Sequence, residues 1–141
     1  MQYVCDAGAA TWFRIETLAE AMQESQLMSH AVERYFRDAQ EKAAKSYTPP
    51  PGARLSEQNI GLKAHVERSM PIFLTLRDRE GKGLATAMLP PKGLDPKQYR
   101  PILVGPSNAD PYKDYCGAIN MLAQHFDMTL DPERCYPYRR T

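Results

Sequence analysis

The chain has 141 residues, 43% apolar and 25% charged, with a net charge of +1 at pH 7. That balance belongs to a globular domain large enough to bury its own core. The charges are evenly spread, with 8 basic and 9 acidic groups in residues 1–70 and 10 and 8 in residues 71–141, so the composition carries no footprint for nucleic acid or an anionic membrane.

Residues 2–6 and 11–16 read as two short strands about Ala7-Gly-Ala-Ala10, with Trp12, Arg14 and Glu16 on one face of the second and Phe13 and Ile15 on the other. Thr17-Leu-Ala-Glu20 is a capping box, in which the threonine hydroxyl and the glutamate carboxylate each accept from an amide of the helix start. Leu18, Ala21, Met22, Met28, Val32, Tyr35, Phe36, Ala39 and Ala43 follow at helical spacing, and the run stops at Tyr47-Thr-Pro-Pro-Pro51. The pattern predicts one helix over 17–46, whose 28 or so helical residues span roughly 42 Å. A compact chain of this length is about 37 Å across, so such a helix must kink, protrude or lie across a partner.

Residues 48–58 read as a loop stiffened by its prolines. Residues 60–67 alternate strictly, Ile60, Leu62, Ala64 and Val66 against Gly61, Lys63, His65 and Glu67, and predict a strand with one wet face. Residues 72–77 and 84–89 flank Asp78-Arg-Glu-Gly-Lys-Gly83 as a hairpin, and Ile102-Leu-Val-Gly105 is a short strand. Asp110-Pro111 opens a second helix that runs to about Phe126, with an apolar stripe of Tyr115, Ile119, Leu122, Ala123 and Phe126. The expected organisation is a single globular domain, 1–141, with an extended C-terminal tail, 131–141. Its fold class is α+β: an antiparallel sheet of about five to six strands, with one long and one shorter helix packed mainly on one face.

Two groups of residues stand out as sites. Phe73 and Thr75 occupy the second face of the hairpin, which is too apolar to be left wet, and Leu27 falls opposite the core stripe of the long helix. With Tyr136 and Tyr138 of the Arg- and Tyr-rich tail, these are the expected interface residues. If residues 11–16 pair with 60–67, Trp12, Arg14, His65, Glu67 and Arg68 share a polar strand face, to which the long helix adds Tyr35. There a carboxylate orients an imidazole and a guanidinium clamps an anion.

Other chemistries lack support in the sequence. Cys116, His125 and Cys135 match no zinc-ligand spacing, and nine residues place Cys116 and His125 on opposite sides of a helix. No nucleophile elbow is present, and Val104–Pro111 lacks the glycines and lysine of a phosphate loop. No cofactor or metal is expected. No apolar run reaches bilayer length. The start, Met1-Gln-Tyr-Val-Cys-Asp6, is unlike a signal peptide, and three widely spaced cysteines fit reduced thiols in the cytoplasm.

The leading expectation is a non-enzymatic interaction domain that forms a homodimer through the sheet face, the long helix or both. The alternative is a binder or enzyme for a small anionic ligand on the polar strand face. A nucleic-acid module working through the tail is disfavoured by the neutral charge balance.

Overall fold

The computed structural model describes all residues except 92, 93, 95–99 and 136–141. The fold is α+β. Five strands, β1 (Gln2–Ala7), β2 (Ala10–Arg14), β3 (Ile72–Arg77), β4 (Gly83–Leu89) and β5 (Ile102–Val104), form one antiparallel sheet in the order β1-β2-β3-β4-β5. The helices among the described residues are α1 (Leu18–Met28), α2 (Val32–Lys45), α3 (Leu55–Ser69) and α4 (Tyr112–His125).

Strand alternation sorts two cores. Leu74 and Leu76 of β3, with Ala85, Ala87 and Leu89 of β4, pack with Trp12, Ile119 and Leu122 on the α4 side. Phe73 points the other way, into a cluster with Ile15, Ala21, Val32 and Phe36 on the α1–α2 side. Helices α1, α2 and α3 thus gather on the Phe73 side, as the expected packing mainly on one face requires, and α4 covers the other side. The second face, expected to be left as an interface, is covered: Phe73 is buried against the Phe36 ring, with centroids 5.0 Å apart, and Thr75 is fully buried.

The predicted single helix over 17–46 is broken. Its start is as read, with both halves of the Thr17–Glu20 capping box formed. At Ser29 the backbone turns left-handed, φ 53° and ψ 53°, which ends α1. Two side chains and a carbonyl rescue the orphaned amides of α2. Glu33 N–H donates to Ser25 Oγ at 2.8 Å, Val32 N–H donates to His30 Nδ1 at 3.4 Å, and Arg34 N–H donates to the Ala31 carbonyl at 3.0 Å. Neither serine nor histidine announces such a break in the sequence, because the apolar spacing runs on through it. The excess length that made the rod a reason for self-association disappears with the break.

A left-handed serine gives a test with opposite signs for the two geometries. Ser29→Gly should raise stability by about 0.5 kcal/mol in urea unfolding, since glycine is the preferred residue at such a cap. In an unbroken helix the same change would instead cost about 0.5 kcal/mol.

Residues 60–67 are helical, within α3, and not a strand. The alternation was a coincidence of a short window. The half-buried residues of α3 are Gln58, Gly61, Leu62, Ala64, His65 and Val66, which recur at helical spacing, while Ile60 is 72% exposed. Pro71 ends the helix by forcing Met70 into extended backbone. Gly61 leaves room for Tyr47, whose hydroxyl lies where a Cβ would stand, so any larger residue would have to move the Tyr47 ring aside. With α3 removed from the sheet, the strand count is five.

Helix α4 begins as read, with Asp110 Oδ1 accepting from Tyr112 N–H at 2.9 Å, and its Ile119, Leu122 and Ala123 are buried. In the tail, Asp131 caps a short turn at Pro132–Arg134 and Cys135 is fully buried, so this part is not simply extended. Tyr136 and Tyr138 lie outside the described residues.

Candidate functional site at the break between two helices

The polar strand face assembled from the sequence does not form, because β2 pairs with β1 and β3 and not with residues 60–67. Trp12 is fully buried among the α4-side residues, and its indole N–H donates to the Ala118 carbonyl at 2.9 Å. Arg14 sits half-buried at the end of β2. His65 lies on α3, with Nε2 2.7 Å from Ser46 Oγ and its ring beside Tyr47, and Glu67 and Arg68 are exposed on the same helix. Leu27 is 51% exposed, while Phe73 and Thr75 are core. Two of the singled-out residues, Tyr35 and Phe73, do come together, at a place the sequence did not indicate.

That place is the break between α1 and α2. Glu24 of α1 is fully buried, and its two carboxylate oxygens are both occupied. One accepts from the Arg77 guanidinium at the end of β3 and the other from the Thr86 hydroxyl of β4, each at 2.5 Å. Arg77 is held in turn by Thr75 Oγ1 at 2.9 Å and the Gly81 carbonyl at 3.3 Å. Because Thr86 gives its proton to Glu24, its oxygen accepts from His30 Nε2–H, 2.8 Å away. The other ring nitrogen, Nδ1, is the acceptor for Val32 N–H, so His30 is held as the neutral Nε2–H tautomer. A polar line thus runs from Arg77 through Glu24 and Thr86 to His30, tying both helices at the break to the centre of the sheet.

Glu24 was legible in principle. It lies three residues after Ala21 and four before Met28, on the apolar stripe of the helix, where a carboxylate requires a partner.

A cavity of about 240 Å³ opens beside this line. Its floor is His30 and Thr86. Phe73, Met88, Ile102 and Val104 from β3, β4 and β5 form one wall, and Ala31, Val32, Arg34 and Tyr35 from the first turn of α2 form the other. Asn108 completes the rim from the turn Pro106–Asn108, where it adopts φ 60°, a conformation asparagine tolerates better than most residues. Ala31, Arg34, Tyr35 and Asn108 are exposed and mark the mouth. The cavity exists because the break carries α2 aside and leaves the β4–β5 end of this face uncovered.

Burial pushes the His30 imidazole below its ordinary pKa, against the pull of the nearby Glu24 carboxylate. The unfolded chain therefore takes up this proton first, and the stability His30 contributes is full above about pH 6.5 and lost as the pH falls toward the lower folded-state value. Urea unfolding at about pH 7.5 and about pH 5.5 should show wild type losing more stability on acidification than His30→Gln. Equal losses in the two proteins would contradict the neutral, hydrogen-bonded His30.

Among the described residues no three His, Cys, Asp or Glu side chains converge on a metal position. Cys5 and Cys116 are free thiols. Among the described residues no helix is long and apolar enough to cross a membrane. Compared with protein-family models, curated proteins and solved structures, the chain matches none.

Proposed function

We propose that this chain is a binding domain for a small organic molecule, held in the cavity at the α1–α2 break. The observation that carries this reading is the join of a partly apolar, open-mouthed cavity to a fully hydrogen-bonded buried network. Ligand sites characteristically combine apolar walls with a few fixed polar groups. The network costs desolvation energy that a purely structural apolar core would avoid, and it holds both sides of the cavity in register. The reading takes up the small-ligand alternative at a different place in the fold. The homodimer reading loses its two supports, the long rod and the open sheet face. Free thiols support a reducing compartment such as the cytoplasm.

A thermal-shift screen with neutral and charged fragments of up to about twelve heavy atoms tests the proposal. A ligand at a hundred times its dissociation constant adds about 2.7 kcal/mol to stability. Ala31→Phe, which places a ring in the mouth without entering the core, should abolish the shift. Hits that survive this substitution, or no hit in the whole set, would contradict the proposal.

A further inference from the structure

We infer that the ligand is a monoanion, a small aromatic or branched-chain carboxylate that enters body first and leaves its carboxylate at the mouth, on Arg34 and Asn108. This rests on the cavity being a binding site. Three observations fix the class. First, among the described lining residues Arg34 carries the only formal charge, since His30 is neutral and no acidic side chain faces the space. The nearest carboxylate, Glu24, lies behind Thr86 and is paired with Arg77.

Second, the floor offers an anion no donor. The Thr86 proton goes to Glu24, and both ring nitrogens of His30 are engaged. A carboxylate pushed to the floor would lose its water without replacement, so the inner part of the ligand is apolar and its acidic end lies outward. There the Arg34 guanidinium rests over the Tyr35 ring, 5.8 Å from the centroid, and among the described residues it makes no ion pair. A planar fork of donors held on an aromatic face suits a carboxylate, and the Asn108 amide can donate beside it.

Third, the size is limiting. A cavity of about 150 Å³ accepts benzene, so about 240 Å³ holds one ring, or a branched chain of similar bulk, with a short acidic arm.

Isothermal titration with phenylacetate and with its neutral isostere phenylacetamide tests this, on wild type, Arg34→Ala, Asn108→Gly (which keeps the backbone turn) and Ala31→Phe. Phenylacetate should bind wild type at least about tenfold more tightly than phenylacetamide. Arg34→Ala should erase the difference, Asn108→Gly should reduce it, and Ala31→Phe should abolish binding of both. Equal binding of the two compounds, blocked by Ala31→Phe, overturns the carboxylate and leaves the cavity reading standing. If neither compound binds while a neutral fragment does so in an Ala31→Phe-sensitive way, the inference is likewise overturned. If no fragment binds sensitively to Ala31→Phe, the cavity reading falls with it. Circular dichroism of Arg34→Ala should match wild type, as Arg34 is exposed.

Discussion

Glu24→Ala is expected to destabilise the folded chain by about 3–5 kcal/mol, because it leaves the Arg77 guanidinium buried without its charge partner. Arg77 is only 15% exposed at its side chain, and Glu24 is not exposed at all. The same change strands the Thr86 hydroxyl, which loses its acceptor, and so loosens the His30 contact that holds the start of α2. Glu24→Gln should be milder but still costly, since its amide turns a donor toward one of two existing donors. The double variant Glu24→Met/Arg77→Met should recover most of the loss, because two apolar side chains replace the pair without leaving a charge behind. Urea unfolding followed by circular dichroism gives all three values. A Glu24→Ala cost within about 1 kcal/mol, the range of an exposed ion pair, would remove Glu24 from the interior.

Trp12→Ala is expected to cost about 3–5 kcal/mol. The indole is fully buried against the α4-side cluster, and its loss opens a cavity and deprives the Ala118 carbonyl of its donor. Trp12→Phe should cost less, retaining most of the bulk and losing only the hydrogen bond. On the wet strand face expected from the sequence, either change would stay within about 0.5 kcal/mol and act on ligand binding instead. Because Trp12 is the sole tryptophan, its fluorescence offers a second reading: blue-shifted emission that moves to the red only on unfolding.

The contrast between these two residues shows what was legible in the sequence and what was not. The β1–β2 and β3–β4 hairpins, the capping box and the start of α4 were readable, because each is specified by local chemistry: turn residues, a cap, a strand period. The assignment of Trp12 to a wet face failed because period two names two faces without saying which is wet. Both faces of this sheet are packed by helices around Trp12 and Phe73, and only the β4–β5 end of one face is left open, so neither residue presents the exposed surface expected.

The misreading of residues 60–67 has a different origin. Ile60, Leu62, Ala64 and Val66 satisfy the strand template, while Gln58, Gly61, Leu62, Ala64, His65 and Val66 satisfy the helical one, and four of those six are polar or small. Removing that segment from the sheet also dissolved the grouping of His65, Glu67 and Arg68 with Trp12 and Arg14. The cavity was hidden for a third reason. It is produced by a left-handed residue at Ser29, and a serine there carries no mark of its conformation. Glu24 and His30 were the accessible clues: a carboxylate on an apolar stripe, and an imidazole six residues beyond it.

Whether the space at the α1–α2 break takes a small ligand is read out by amide chemical-shift mapping of the ¹⁵N-labelled protein, titrated in turn with phenylacetate, phenylacetamide and the strongest fragment of the thermal-shift screen. Saturable shifts are expected from at least one of them, concentrated at residues 30–35, 86–88 and 102–108, the segments that enclose the cavity. Shifts centred on α3 around His65 or on the α4 side around Trp12, or no saturable shift at all, would contradict binding at the break.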